Sequence, residues 1–219
     1  MPALRSRLAA FSFLSLAFIA LSGLVAAGRF DRVDRGFKDA FGKVYSEPAH
    51  PFLQAIAVLG GVEITGLVVL GLGLWLWQRG FRDELWALTG FAVIVVLELI
   101  YKKLLFHPGP PAGHADGPSI SDLIEPVAAL RNSYPSGHVL RAVFAYGLLA
   151  FVIHRLGPGG IWARAVVLAA AVLSIAGVAF TRLYLAVHWE SDVLGGMLLG
   201  GIGLLGATIW LDRPRPEGG

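Results

Sequence analysis

Six apolar runs separated by short polar stretches dominate the chain. They fall at about residues 8–27, 52–77, 85–106, 139–153, 161–180 and 193–211, and most approach the ~20 residues that carry an α-helix across a bilayer. The pattern predicts an all-α fold, an integral membrane bundle of about six transmembrane helices. The first run follows Arg5 and Arg7 and ends in Val-Ala-Ala-Gly. A cleaved signal peptide shares those features, but the length of the run predicts a retained anchor. Between the first two runs, Phe30, Val33, Phe37, Phe41 and Val44 recur at helical spacing, while Arg29, Arg32, Arg35 and Lys38 lie largely off that stripe. An interfacial amphipathic helix lying flat on the membrane surface is expected there. The stretch from His107 to Tyr134 is rich in Pro, Gly, Ser and Asp, which predicts an irregular, solvated loop placed to cover a site entrance. No composition break and no internal repeat divides the chain, so residues 1–219 are expected to form a single membrane-embedded domain.

Composition agrees with a bilayer as solvent. The chain is 56% hydrophobic and 15% charged, with a mean hydropathy of +0.68, outside the balance of a soluble globular domain. Cysteine is absent, which excludes disulfides and thiolate metal sites. Charge then orients the bundle. Arg79 with Arg82, Arg155 with Arg164, Arg5 with Arg7 and Arg213 with Arg215 all fall on one face, and the positive-inside rule makes that face cytoplasmic; the basic residues between Arg29 and Lys43 count the other way.

The candidate chemistry gathers on the opposite face. Lys102 and Lys103 end the third run, Ser136 to His138 begin the fourth, and Arg182 to Asp192 lie between the fifth and sixth. His188 and Asp192 are four residues apart, which predicts that they stack on one helix face. The carboxylate would then hold one imidazole nitrogen while the other faces a substrate, with Arg182 supplying a fixed cation. A second histidine, His138, follows Tyr134-Pro135-Ser136-Gly137. Two histidines and an arginine point to phosphoryl chemistry. A histidine–carboxylate metal site is the competing arrangement, disfavoured because the nearby lysine and arginine would repel a cation.

These motifs resemble the type 2 phosphatidic acid phosphatase superfamily, whose signature is K-x6-R-P, then P-S-G-H, then S-R-x5-H-x3-D. The second part stands as Pro135-Ser136-Gly137-His138, and the third as Thr181-Arg182, His188 and Asp192, with threonine for serine. The first part departs from the pattern. Counting from Lys103, the Arg-Pro positions hold Pro110-Pro111; counting from Lys102, they hold Gly109-Pro110. The arginine is missing in either register. Lys103 is the expected functional lysine, because its spacing resembles bacterial relatives and Lys102 lies one turn after Glu98. Arg141, three residues after His138, is a candidate replacement for the lost guanidinium, and Arg131 a second; the plainer expectation for Arg141 is an ion pair with a buried acid.

The resemblance implies a lipid phosphatase of the cytoplasmic (inner) membrane with its site on the outer face. His188 would be the nucleophile, Asp192 its orienter and His138 the general acid and base, through a phosphohistidine. Lys103, Ser136, Gly137 and Arg182, with Arg141 as a further candidate, would bind the phosphoryl oxygens. No metal, no cofactor and no nucleic-acid partner is implied. Candidate substrates are undecaprenyl diphosphate, phosphatidylglycerol phosphate, phosphatidic acid and lipid A phosphate, with a lean to the first. A lipid phosphotransferase and a catalytically weak phospholipid-binding protein are the alternatives. The sequence leaves oligomeric state open.

Other residues have plainer expectations. Glu63 near the middle of the second run and Glu98 in the third should form structural ion pairs, with Lys102 and Arg141 as available partners. Gly196, Gly200 and Gly203 should let another helix approach the last span. Trp75, Trp77, Trp189 and Trp210 should be interfacial anchors. His107 and His114 flank the altered first motif, where they could contact substrate; the plainer expectation is that they are solvated loop histidines.

Overall fold

A computed structural model describes residues 2–111, 132–157 and 159–213. Among these the architecture is helical. The helices are α1 (Pro2–Ala26), α2 (Asp31–Val44), α3 (His50–Ala57), α4 (Val62–Gln78), α5 (Thr89–Leu104), α6 (Gly137–Leu156), α7 (Ile161–Tyr184) and α8 (Glu190–Leu211). Five helical stretches are long and apolar enough to span a membrane: Leu4–Ala26, Arg82–Leu104, Gly137–Leu156, Ile161–Tyr184 and Glu190–Leu211. A sixth arises only if Glu47–Gly60 and Val62–Gln78, bent by 42°, are taken together as one broken span. The expected continuous second helix is therefore interrupted at Gly60 and Gly61. Two carbonyls near the break find side-chain donors, Tyr146 Oη to Leu59 O at 2.7 Å and Arg141 Nε to Gly60 O at 3.4 Å. That satisfaction is what a break at membrane depth needs. The interruption also moves Glu63 from mid-span to the first turn of α4.

Helix α6 is the centre of the bundle. Val139, Leu140, Ala142, Phe144 and Leu148 are fully buried, because α4, α5, α7 and α8 all pack around it. The outer helices turn apolar side chains outward instead. Phe13, Leu16 and Ile19 on α1, and Leu67, Leu70 and Leu74 on α4, are exposed at spacings of one helical turn, as expected where the solvent is lipid.

Against lipid there is little hydrophobic drive for helices to associate, so close packing decides the contact. A Cβ on Gly200 would lie 2.6 Å from Leu140 O and 2.9 Å from Val143 Cβ, and one on Gly196 would lie 2.6 Å from Ser136 O. Gly203 meets Ile94 and Phe144 in the same way. The glycine stripe is the seam along which α8 meets α6 and α5. Gly200→Ala should therefore destabilise the protein by about 1–3 kcal/mol, since backbone cannot yield as a side-chain tip can. The check is its thermal midpoint in detergent, and an unchanged midpoint would show that the seam has slack.

The end of the bundle remote from the motif residues is pinned by ion pairs. Asp212 takes Arg7 and, at 2.9 Å, Arg155, while buried Glu84 lies 3.8 Å from Arg155 and 4.0 Å from Arg213. Several arginines expected only as topology signals thus also tie the N-terminal and C-terminal helices together.

Candidate active site

Helix α7 carries Arg182 in its last turn, with the side chain fully buried. The helix closes when Val187 N and His188 N both donate to Arg182 O, at 3.2 and 3.3 Å. Ala186 adopts a left-handed φ of 51° to make that reversal. His188 consequently lies in the turn before α8, not within a helix. Its pairing with Asp192 survives for a different reason than the spacing suggests. Asp192 is the third residue of α8, and its Oδ2 reaches back to accept Trp189 N at 2.9 Å and His188 Nδ1 at 3.2 Å. A carboxylate capping a helix start is favoured by the unpaired N–H groups there. The same oxygen orients the imidazole.

The second motif is joined to the third through backbone. Ser136 N donates to Asp192 O at 2.9 Å. Ser136 precedes α6, and the first intrahelical bond runs from Leu140 N to Ser136 O at 3.1 Å. The N–H groups of Gly137, His138 and Val139 are therefore left without helical acceptors, an arrangement that favours anions. Ser136 Oγ is buried and has no hydrogen-bond partner among the described residues. Tyr134 is the strut behind this turn. Its hydroxyl meets Ser22 Oγ at 2.9 Å, its ring stacks on Phe18, and burial pushes its phenol above the usual range.

A side chain at position 137 would have to displace the Glu98–Arg141 ion pair. A Cβ there would lie 2.0 Å from Glu98 Oε1 and 2.8 Å from Arg141 Nη1. Glu98 sits under the Ser136–His138 turn and holds two cations, Lys102 at 2.7 Å and Arg141 at 3.0 Å. The ion pairs expected for this acid are present. Arg141, the candidate substitute for the missing arginine, is thus engaged by Glu98 and by the Gly60 carbonyl.

The structure places the two lysines of the first motif differently. Lys102 is partly buried beside Glu98, whose other carboxylate oxygen holds Arg141. Lys103 is exposed. The turn that follows Lys102 is fixed by Asn132, whose Nδ2 donates to Lys102 O at 2.8 Å and whose Oδ1 accepts His107 N at 2.9 Å. In the Lys102 register, Gly109 occupies the arginine position. A Cβ on it would meet Ser133 Cβ at 3.6 Å and Val187 O at 3.8 Å, so the position abuts the residue before His188 and has room for a side chain.

Two residues at the site, Asp34 and Ser191, were not singled out by the sequence patterns, and a third was expected in solvent. His107, expected to be solvated, is 9% exposed, and its Nε2 lies 3.5 Å from Asp192 Oδ1. Asp34 of α2 and Ser191 of α8 are buried and hydrogen-bonded to each other. Their signal in the sequence is an acid inside an amphipathic helix and a serine one residue before Asp192, neither of which specifies a partner. Burial raises the Asp34 carboxyl above its ordinary range, with the Ser191 hydrogen bonds opposing the rise. Trp189, expected as an anchor at the membrane interface, donates Nε1–H to Pro108 O at 2.8 Å and so ties the first-motif turn to the His188 turn. Arg131 and His114 lie outside the described residues, as does most of the loop expected to cover the entrance.

Several known proteins are similar to this chain. A candidate undecaprenyl-diphosphatase of Escherichia coli strain K12, YbjG, is 29% identical over 73% of this chain and 74% of its own length. The bacitracin transport permease protein BcrC of Bacillus licheniformis is 30% identical over 75% and 72%. Phosphatidylglycerophosphatase B of Bacillus subtilis strain 168 is 25% identical over 85% and 87%. The crystal structure of a transmembrane PAP2 type phosphatidylglycerolphosphate phosphatase from Bacillus subtilis superposes with a TM-score of 0.76 at 23% identity, covering 90% of this chain and 94% of that one. The family model of the PAP2 superfamily matches residues 83–216, which contain His138, His188 and Asp192, and the chain belongs to that superfamily.

Proposed function

We propose that this protein is a membrane lipid phosphatase that hydrolyses a phosphomonoester or diphosphate of a lipid through a phosphohistidine. The observation that carries this is the joining of two motifs at one point: His188 Nδ1 is held by Asp192, and Asp192 O is bonded to the start of the Ser136–His138 turn. With Nδ1 engaged, Nε2 is the ring nitrogen left to form the bond to phosphorus. Its lone pair attacks, the P–O bond to the lipid breaks, and His138 delivers a proton to the departing oxygen. In the second step His138 takes a proton from water, the water oxygen bonds to phosphorus, and the P–N bond breaks to release phosphate. Asp192 stabilises the charge that develops on the His188 ring. Ser136 Oγ, the N–H groups at the start of α6, Arg182 and Lys102 bind the phosphoryl oxygens. Lys103 has no part in this assignment, and Arg141 acts through Glu98.

The whole chain, residues 1–219, works as one membrane-embedded unit in the inner (cytoplasmic) membrane. Its site faces the outer side, an orientation supported by the arginines gathered at the opposite end of the bundle. A polyprenyl diphosphate is the favoured substrate, supported by the similarity to YbjG. The chemistry assigned to these residues needs no metal. Purified enzyme should release phosphate from at least one member of a panel of undecaprenyl diphosphate, phosphatidylglycerol phosphate, phosphatidic acid and lipid A phosphate. EDTA should leave that activity intact, vanadate should inhibit it, and labelled substrate should give an alkali-stable, acid-labile phosphoenzyme. Absence of phosphate release from every lipid would overturn the assignment. Loss of activity on chelation with recovery on adding a divalent ion would replace the metal-free mechanism.

A further inference from the structure

Asp192 uses one carboxylate oxygen, Oδ2, for His188 and the Trp189 N–H. Its other oxygen, Oδ1, is buried, and His107 Nε2 approaches it at 3.5 Å. A buried carboxylate oxygen without a donor is costly, so this approach has consequences. The same Nε2 lies 3.3 Å from Ser191 Oγ. Ser191 donates twice to Asp34, from Oγ to Oδ2 and from its backbone N to Oδ1, both at 2.9 Å. A hydroxyl has one proton. If Ser191 gives it to Asp34, Oγ can only accept from His107, and Nε2 must carry hydrogen. That hydrogen then lies between Ser191 Oγ and Asp192 Oδ1. The imidazole is fixed from behind by its own backbone, since His107 O accepts Ser133 N at 2.9 Å and Ser133 Oγ at 3.1 Å.

We infer that His107 is a positioning residue for the nucleophile's partner: its Nε2–H holds Asp192 Oδ1, and the Ser191–Asp34 pair holds that proton in place. The chain of contacts runs from the amphipathic helix α2, through Asp34, Ser191 and His107, to Asp192 and His188. Hydrogen-bond networks of this kind fix an orienter's geometry. The inference rests on the phosphatase assignment above. A cavity of about 190 Å³ lined by Asp31, Asp34, Arg35, His107, Pro108 and Trp189 opens beside His107, giving an external imidazole a route to the position.

The test is steady-state kinetics of the purified full chain on the lipid phosphate it turns over best. His107→Ala should lower kcat on the order of 10–100-fold, as losses of outer partners of oriented histidines do, with KM within about threefold. His107→Gln, which keeps an N–H donor, should recover most of kcat, and added imidazole should partly restore His107→Ala. Asp34→Asn gives a second arm should His107→Ala not fold. Its amide donates to Ser191 Oγ, the serine hydroxyl turns to donate to His107 Nε2, and the hydrogen used by Asp192 is lost. That variant should also lose kcat with KM kept. Unchanged kcat in folded His107→Ala or Asp34→Asn would overturn the inference, as would equal losses in His107→Ala and His107→Gln with no response to imidazole. A wild-type protein inert towards every lipid phosphate would instead overturn the phosphatase assignment, and the inference with it.

Discussion

His188→Ala is expected to abolish phosphate release, while Asp192→Asn should leave a residue of activity on the order of 10^4-fold below wild type. The two changes remove different things. Alanine at 188 deletes the atom assigned to bond phosphorus, so no phosphoenzyme should form at that position. Asparagine at 192 keeps the shape but removes the charge that stabilises the developing imidazolium, and its amide can present a donor where His188 Nδ1–H needs an acceptor. Because Asp192 Oδ2 also accepts Trp189 N at 2.9 Å, the start of α8 should loosen as well, costing about 1 kcal/mol of cap stabilisation. Measuring turnover beside phosphoenzyme trapping separates these effects. Wild-type-like turnover in purified His188→Ala would end the mechanism.

Lys102→Ala is expected to lower kcat/KM on the order of 10^2–10^3-fold, in the range of a lost oxyanion donor, whereas Lys103→Ala should stay within about twofold of wild type. Lys102 is held by Glu98 at 2.7 Å, and Glu98 lies against Gly137, so the ammonium is presented beside the turn that carries His138. Lys103 is exposed. Since removing one partner of a buried ion pair also destabilises, thermal midpoints belong beside the kinetics. The same register places Gly109 where the family pattern has arginine. Gly109→Arg should be tolerated and should raise kcat/KM in the Lys102→Ala background, because ordinary contact distances surround a Cβ there and a guanidinium binds phosphate in two-point fashion. Pro110→Arg, which the Lys103 register would favour, should not. A loss in Lys103→Ala with Lys102→Ala unaffected would reverse the assignment.

Some of this was legible along the chain because it is set by local pattern. Apolar runs near membrane length marked α1, α5, α6, α7 and α8, since a backbone in lipid must satisfy itself by helix formation. Glycines at 196, 200 and 203 marked the seam of α8, and an acid one turn before Lys102 marked its ion pair. The break at Gly60 was hidden, because the apolar run continues through it. Only the donors Tyr146 and Arg141, about 80 residues distant in sequence, show that the carbonyls near the break can be satisfied there.

The sequence by itself determined that the chain is an all-helical membrane protein and which histidines, aspartate and arginine are the candidates for its chemistry, since these depend on residue type and on spacing within single segments. Tertiary structure decided which lysine turns inward, why His188 meets Asp192 from a turn, and that His107 and Asp34 stand behind them. Each of these depends on a contact between segments far apart in the chain. A lysine at the end of a helix has no intrinsic reason to face one way until Glu98 and the Gly137 backbone meet beneath it, and a loop histidine has none to be buried until Ser191 and Asp192 offer it acceptors.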